Sequence, residues 1–294
     1  MPRFLLLLML LPSLALATNP APPEPPTNPP AACSGQSLQA GEHELSVNVN
    51  GQQRDFILYA PPSYNGSAQV PLLLDFHALL TSAEYQRDNS GTREVAQDEG
   101  FLVAYPQGID NAWNLGPCCT ESRSVDDVAF ARAMVADVVA RGCVDQKRVY
   151  ATGYSNGGGM AYKLACSAAD MVAAVAPAAF DMIEEMNCAP SRPVSVFAYR
   201  GRLDPIVPYS GGPSTPPTGY PLEQITFQGA QGSFNTWATL NNCSTGTSSP
   251  SRNCTASNSC EDGTENVLCT ARFGGHSAWD AETSWDFLKA HQLP

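Results

Sequence analysis

The chain is short of positive charge. Only 16 Lys and Arg stand against 28 Asp and Glu, a formal net charge of −12. Phosphate binding needs a basic face, so this balance argues against a nucleic-acid partner. Ten cysteines are present, yet none has the Cys-x-x-Cys spacing, so no metal site is expected. No Gly-Lys-Ser or Gly-Lys-Thr occurs, which excludes the phosphate-binding loop of nucleotide hydrolases. Beyond the first residues no apolar run is long enough for a membrane helix, and there is no internal repeat. Histidine is scarce: His43, His77, His276 and His291 are all there are.

What remains is an ordinary globular balance, 43% hydrophobic and 15% charged over 294 residues. Residues 1–17 read as an export signal: Arg3, an apolar run from Phe4 to Leu16, then the small-residue site Ala15-Leu16-Ala17. Cys33 lies too far beyond that run to be a lipid-anchor site. Residues 18–32, "TNPAPPEPPTNPPAA", are dense in proline, favour extended polyproline II and cannot pack a core. Residues 33–294 form the expected catalytic domain. No membrane association is expected after signal removal. An exported chain with ten cysteines points to disulfides.

"HELSVNVNG" and "QRDFILYAP" predict a hairpin around Asn50-Gly51. "PLLLDF", "FLVAYP", "KRVYATG", "MVAAVAP", "PVSVFAYRG" and "ENVLCTARF" predict buried strands. "TREVAQDEG", a long helix capped by Ser124 with Asp126 and Asp127 in its first turn, "NGGGMAYKLAC" and "AETSWDFLKAH" predict helices between them. Apolar strands alternating with helices give an α/β fold, a mostly parallel sheet with helices on both faces. Residues 214–262, rich in Ser, Thr, Asn, Gly and Pro, read as a loop-rich insertion before the last strand.

Gly153-Tyr154-Ser155-Asn156-Gly157 sits where a strand turns into a helix. A sharp turn there lifts the Ser155 hydroxyl clear of the sheet and sets it beside a helix N-terminus. The N–H of Asn156 is the natural first donor to a developing oxyanion. The competing reading is a glycine-rich helix start with a capping serine. A serine nucleophile needs a base and an acid, which in this type of fold follow it in chain order. His276, in the glycine-hinged "RFGGHSAW", is the expected base, and His291 reads as a solvated residue of the last helix. Asp204 is the expected acid, with Asp181 as rival and Asp262 as a turn residue.

"GYSNGGGMAYKLAC", "YRGRLDPIVPY" and "GGHSAW" resemble the secreted feruloyl esterases and polyhydroxybutyrate-depolymerase-like esterases, which are α/β-hydrolases. "YPQGIDNAWN", Cys118-Cys119, "VDDVAF" and "GCVDQKRVY" resemble the same group, so the likeness runs over residues 33–288. The resemblance puts the nucleophile on Ser155, the acid on Asp204 and the base on His276. It implies hydrolysis of carboxylic esters through an acyl-enzyme, with no metal or cofactor. The substrates it implies are cell-wall hydroxycinnamate esters or hydroxyalkanoate polyesters. A catalytically impaired binding protein on the same scaffold is the reading from another class, and a peptidase a fourth. The family usually follows its third buried strand with His-Gly, and that loop gives the second oxyanion N–H. Here "DFHALL" keeps His77 but has Ala78 for the glycine, leaving Leu79 as the donor and the hole in question. His77 itself reads as a structural hydrogen-bonder.

Trp279, Trp113 and Tyr154 are candidate substrate-binding aromatics, each with a packing role as the alternative. Among the cysteines, Cys166 is expected to bond Cys188, Cys254 to bond Cys269, and Cys243 to bond Cys260. Cys118 and Cys119 are expected not to bond each other, since neighbours make a strained ring; Cys33 and Cys143 are then their partners. Sequence leaves this connectivity open. Asn65, Asn242 and Asn253 head glycosylation sequons that matter only in a glycosylating host.

Overall fold

The computed structural model describes residues 33, 37–120, 124–214, 224–277 and 279–294. The expected export signal and proline-rich spacer lie outside the described residues. The chain opens with the expected hairpin, β1 (Gly41–Val49) and β2 (Gln52–Ala60), turning at Asn50-Gly51. Next come β3 (Val70–Phe76), α1 (Ala83–Asn89), α2 (Thr92–Glu99), β4 (Leu102–Pro106), α3 (Asp127–Arg141), β5 (Val144–Tyr154), α4 (Asn156–Ser167), β6 (Ala174–Ala178) and β7 (Ser195–Gly201). The last part holds β8 (Gly212–Ser214), β9 (Ile225–Phe227), α5 (Gly229–Leu240), β10 (Ser244–Ser251), β11 (Cys254–Asn258), β12 (Asn266–Ala271) and α6 (Ala281–Leu288).

Ten strands form one sheet in the order β1-β2-β4-β3-β5-β6-β7-β12-β11-β10. The six from β4 to β12 run parallel, and the outer strands at both edges are antiparallel. Both faces are covered, which is why the central strands read as continuous apolar runs. On one face Leu72, Leu74, Phe56 and Leu58 pack with Phe130, Met134 and Leu164. On the other, Leu73, Ile57, Tyr59 and Val103 pack with Tyr150 and Trp285. Each fully buried leucine contributes roughly 1.5–3 kcal/mol relative to exposure.

Three features differ from the sequence reading. Asp126, not Ser124, caps α3: its carboxylate accepts the Ala129 N–H at 2.9 Å, a reach Ser124 lacks from two residues further out. Asp127 turns inward, where it meets Arg54 at 2.7 Å. The segment after residue 214 is not a mere excursion, because β11 pairs with β12 and β10 with β11, extending the sheet by two strands. Within it α5 lays Phe234 and Trp237 on the core.

Cys118 and Cys119 bond each other, against expectation; the peptide between them is cis, which turns both side chains to one side. Cys33 is therefore left to bond Cys143. Cys166–Cys188, Cys243–Cys260 and Cys254–Cys269 are joined, the last pair lying directly opposite in the β11–β12 register.

His291 is not a solvated helix residue. It follows α6, is largely buried with Nδ1 3.2 Å from the Ser195 hydroxyl, and burial depresses its pKa from 6.5 to about 4. An unfolded chain protonates this imidazole near 6.5, the folded chain only near 4. Between those values the unfolded state binds more protons, so the stability His291 contributes is lost as pH falls through that window. The loss is at most about 3 kcal/mol. His291→Gln removes it, so the urea midpoint of the variant relative to the parent is expected to rise as pH drops from 7 to 4.5.

Candidate active site

β5 ends at Tyr154 and α4 begins at Asn156, leaving Ser155 alone to make the turn. It does so at φ 55° and ψ −120°, a conformation that costs a non-glycine residue about 1–3 kcal/mol. Glycines on either side let the elbow sit tight. A Cβ on Gly157 would collide with the carbonyls of Phe76 and His77, and one on Gly158 with the Ala178 carbonyl. The first turn of α4 therefore lies directly on the ends of β3 and β6.

Three side chains meet at this elbow. His276 Nε2 lies 2.9 Å from Ser155 Oγ, and His276 Nδ1 lies 2.8 Å from Asp204 Oδ2. A carboxylate can only accept, so Nδ1 carries the proton and Nε2 presents its lone pair to the hydroxyl. Asp204 Oδ1 accepts the N–H groups of Ile206 and Val207 at 2.8 and 2.9 Å. Burial alone raises the Asp204 pKa; the hydrogen bonds from His276, Val207 and Ile206 outweigh it and hold the carboxyl below its ordinary range. The loop that carries His276 crosses close over β7, since a Cβ on Gly201 would strike the carbonyls of Gly274 and Gly275.

Asp181, the rival acid, does not reach His276. It is buried, 2.7 Å from Arg200 Nη1, and burial lifts its pKa to about 7 even against that guanidinium. Arg200 Nη2 sits 3.7 Å from Asp204 and donates to the Val207 carbonyl at 2.8 Å, so one buried cation holds both acids apart.

The N–H of Asn156 opens α4, where a helix offers no acceptor of its own. Its side chain ties down the neighbouring loop: Oδ1 accepts the Trp113 N–H at 2.7 Å and Nδ2 donates to the Trp113 carbonyl at 3.3 Å. Leu79 lies in the loop after β3, between Ala78 and Leu80. The left-handed residue there is Leu80, at φ 62°, and Ala78 stays outside that region. Replacing the usual glycine by Ala78 thus imposes no left-handed strain. His77 is buried, with Nδ1 donating to the Ala78 carbonyl at 2.7 Å and Nε2 accepting the Gly108 N–H at 2.9 Å. Burial depresses its pKa to about 4, so it is neutral and structural.

Trp113 is corrected from cleft wall to core. It is fully buried, edge-on to Phe76, with its indole N–H donating to the His77 carbonyl at 2.8 Å. Trp279 and Tyr154 do face a cavity, of about 300 Å³, together with Tyr85, Gln86, Asn89, Ser90 and Ser277. Tyr154 and Ser277 are the chain neighbours of Ser155 and His276. The Tyr154 ring lies 5.3 Å from that of His276, and burial, with Asp204 and Tyr85 adding, pushes its phenol up to about 12. Trp279 is held by a short hydrogen bond from its indole to the Ser90 carbonyl. The α1 residues were missed in the sequence, although Ser82 followed by "AEYQR" carries a start signal: Ser82 accepts the Tyr85 N–H.

Residues 54–209 match the family described as Esterase PHB depolymerase. The chain belongs to this family. Among curated members of similar sequence, Feruloyl esterase B of Piromyces equi is 39% identical over 252 residues, covering 82% of this chain and 46% of its own length. Probable feruloyl esterase C of Aspergillus terreus is 32% identical over 171 residues, covering 56% of this chain and 59% of its own. The chain thus spans about half the length of such relatives. Acetyl xylan esterase from Aspergillus awamori superposes over 85% of the chain and all of its own, with TM-score 0.62 at 13% identity. That likeness is one of fold, and the fold is the α/β-hydrolase type.

Proposed function

We propose that the protein is a secreted serine carboxylic-ester hydrolase that releases hydroxycinnamates from plant cell-wall polysaccharide esters. The observation that carries this reading is the contact chain Ser155–His276–Asp204. Ser155 Oγ attacks the ester carbonyl while His276 Nε2 takes its proton, and Asp204 stabilises the imidazolium. The N–H groups of Asn156 and Leu79 receive the oxyanion. Collapse expels the alcohol, protonated by His276, and leaves an acyl-enzyme. Water, deprotonated by His276, then attacks the acyl carbon and restores Ser155. The steps need only these groups.

The cavity beside the elbow has room for one aromatic acyl group between Tyr85, Tyr154 and Trp279. Feruloyl relatives by name and this aromatic lining support the hydroxycinnamate assignment. Five disulfides suit an oxidising compartment, and among the described residues no helix is long and apolar enough to cross a membrane. A fluorophosphonate probe is expected to label Ser155 alone, and the purified protein to hydrolyse methyl ferulate. No labelling would select the non-catalytic scaffold. The family description favours one second reading, a polyester depolymerase. Labelling with release of hydroxybutyrate from a film, but no ferulate release, would select that.

A further inference from the structure

One charged feature of the catalytic rim meets no counter-charge among the described residues. Parallel pairing of β7 with β12 ends at Gly201 opposite Ala271. The next residue on each strand, Arg202 and Arg272, therefore leaves the sheet side by side. The Arg202 N–H donates to the Ala271 carbonyl at 3.0 Å and the Leu203 N–H to the Gly274 carbonyl at 2.9 Å, keeping the two loops together. Neighbouring strands run only about 4.8 Å apart, and like charges at neighbouring positions repel.

Many of the chain's other cations are neutralised: Arg54, Arg87, Arg132, Arg141, Arg148 and Arg200 each meet a carboxylate. Among the described residues Arg202 and Arg272 meet none, and both are exposed. Each guanidinium instead lies 5.7 Å from an aromatic ring, Arg202 over Tyr209 and Arg272 over Phe273. Stacking orients a guanidinium without cancelling its charge. A pair of oriented, unneutralised forks is what a carboxylate from outside would complete.

Placement says which half of the substrate this is. Along the sheet, the aromatic cavity lies on the α1 side of β5, whereas β7 and β12 lie on the other side. Ser155 stands between them. Arg202 lies two positions before Asp204, and Arg272 four positions before His276. We propose that Arg202 and Arg272 form an anion subsite for the alcohol half of the ester, and that this alcohol is a uronate-bearing glycan. The assignment of acyl and alcohol sides rests on the ester-hydrolase reading; anion binding itself does not.

The test uses ester-free glycans, so it reads binding alone. Calorimetry compares a xylo-oligosaccharide carrying one glucuronate branch with the same backbone unbranched, on the full protein and on Arg202→Gln, Arg272→Gln and the double variant. The branched glycan is expected to bind about tenfold more tightly. Each single variant should erode that preference, the double variant should erase it, and added salt should weaken it. Equal affinity for the two glycans, or a preference that survives in the double variant, overturns the proposal. Matching circular dichroism across the variants excludes misfolding as the cause. If the glycans fail to discriminate while methyl ferulate is still hydrolysed, the subsite falls and the esterase stands. Discrimination without hydrolysis of any ester would do the reverse.

Discussion

Replacing Ser155 with alanine lowers kcat on a small chromogenic ester by about 10⁶-fold, the scale seen when a serine nucleophile is removed. The expected loss is this large because Ser155 Oγ is the hydroxyl that meets the His276 imidazole, at 2.9 Å. Alanine at φ 55° is no better accommodated than serine, so the fold should not gain stability enough to confuse the reading. A residual acceleration over water should persist, because the N–H groups at the start of α4 remain. Steady-state rates with a sensitive leaving group, together with loss of fluorophosphonate labelling, decide the matter. A variant that retained even a tenth of the parent rate would remove Ser155 from the chemistry.

The second large effect separates the two buried acids. Asp204→Asn is expected to cost about 10⁴-fold in kcat. An amide can donate to His276 Nδ1, which favours the tautomer whose Nε2 carries the proton and cannot accept one from Ser155. Asp181→Asn leaves the 2.8 Å contact between His276 and Asp204 in place. Its cost falls on stability instead, because Arg200 is fully buried and loses the carboxylate 2.7 Å away. Activity per folded molecule and the denaturation midpoint, measured on both variants, should move in opposite patterns. Equal loss of turnover in the two would mean that Arg200 transmits Asp181 to the imidazole.

The elbow was legible because its signals are local: a β-branched strand, glycines where backbones must touch, and helix formers after. The order of Ser155, Asp204 and His276 along the chain then narrowed a small set of acids and histidines. Long-range consequences were not legible. α5 contains "GAQGSFNT", with two glycines and few strong helix formers, and it is a helix because Phe234 and Trp237 are buried beneath it. Trp113 and a true cleft aromatic look alike in sequence; the difference is which side of the β3 loop the ring falls on. The expectation for Cys118 and Cys119 rested on the strain of a ring between neighbours, yet the two are joined and Cys33 pairs with Cys143 instead. His291 misled for a related reason: an amphipathic ending says nothing of the strand residue, Ser195, that lies across from it.

The outermost strand carries a consequence for how molecules of this protein meet one another. β10, "STGTSSPS", is exposed along its whole length and pairs with β11 through two breaks in register. Pro250 supplies no N–H to that free border, and nothing apolar along it rewards stacking. A second copy approaching side by side finds no straight ladder to zip onto. Along this border the ten-stranded sheet thus offers no seed for fibrous self-assembly, even where the protein accumulates at high local concentration.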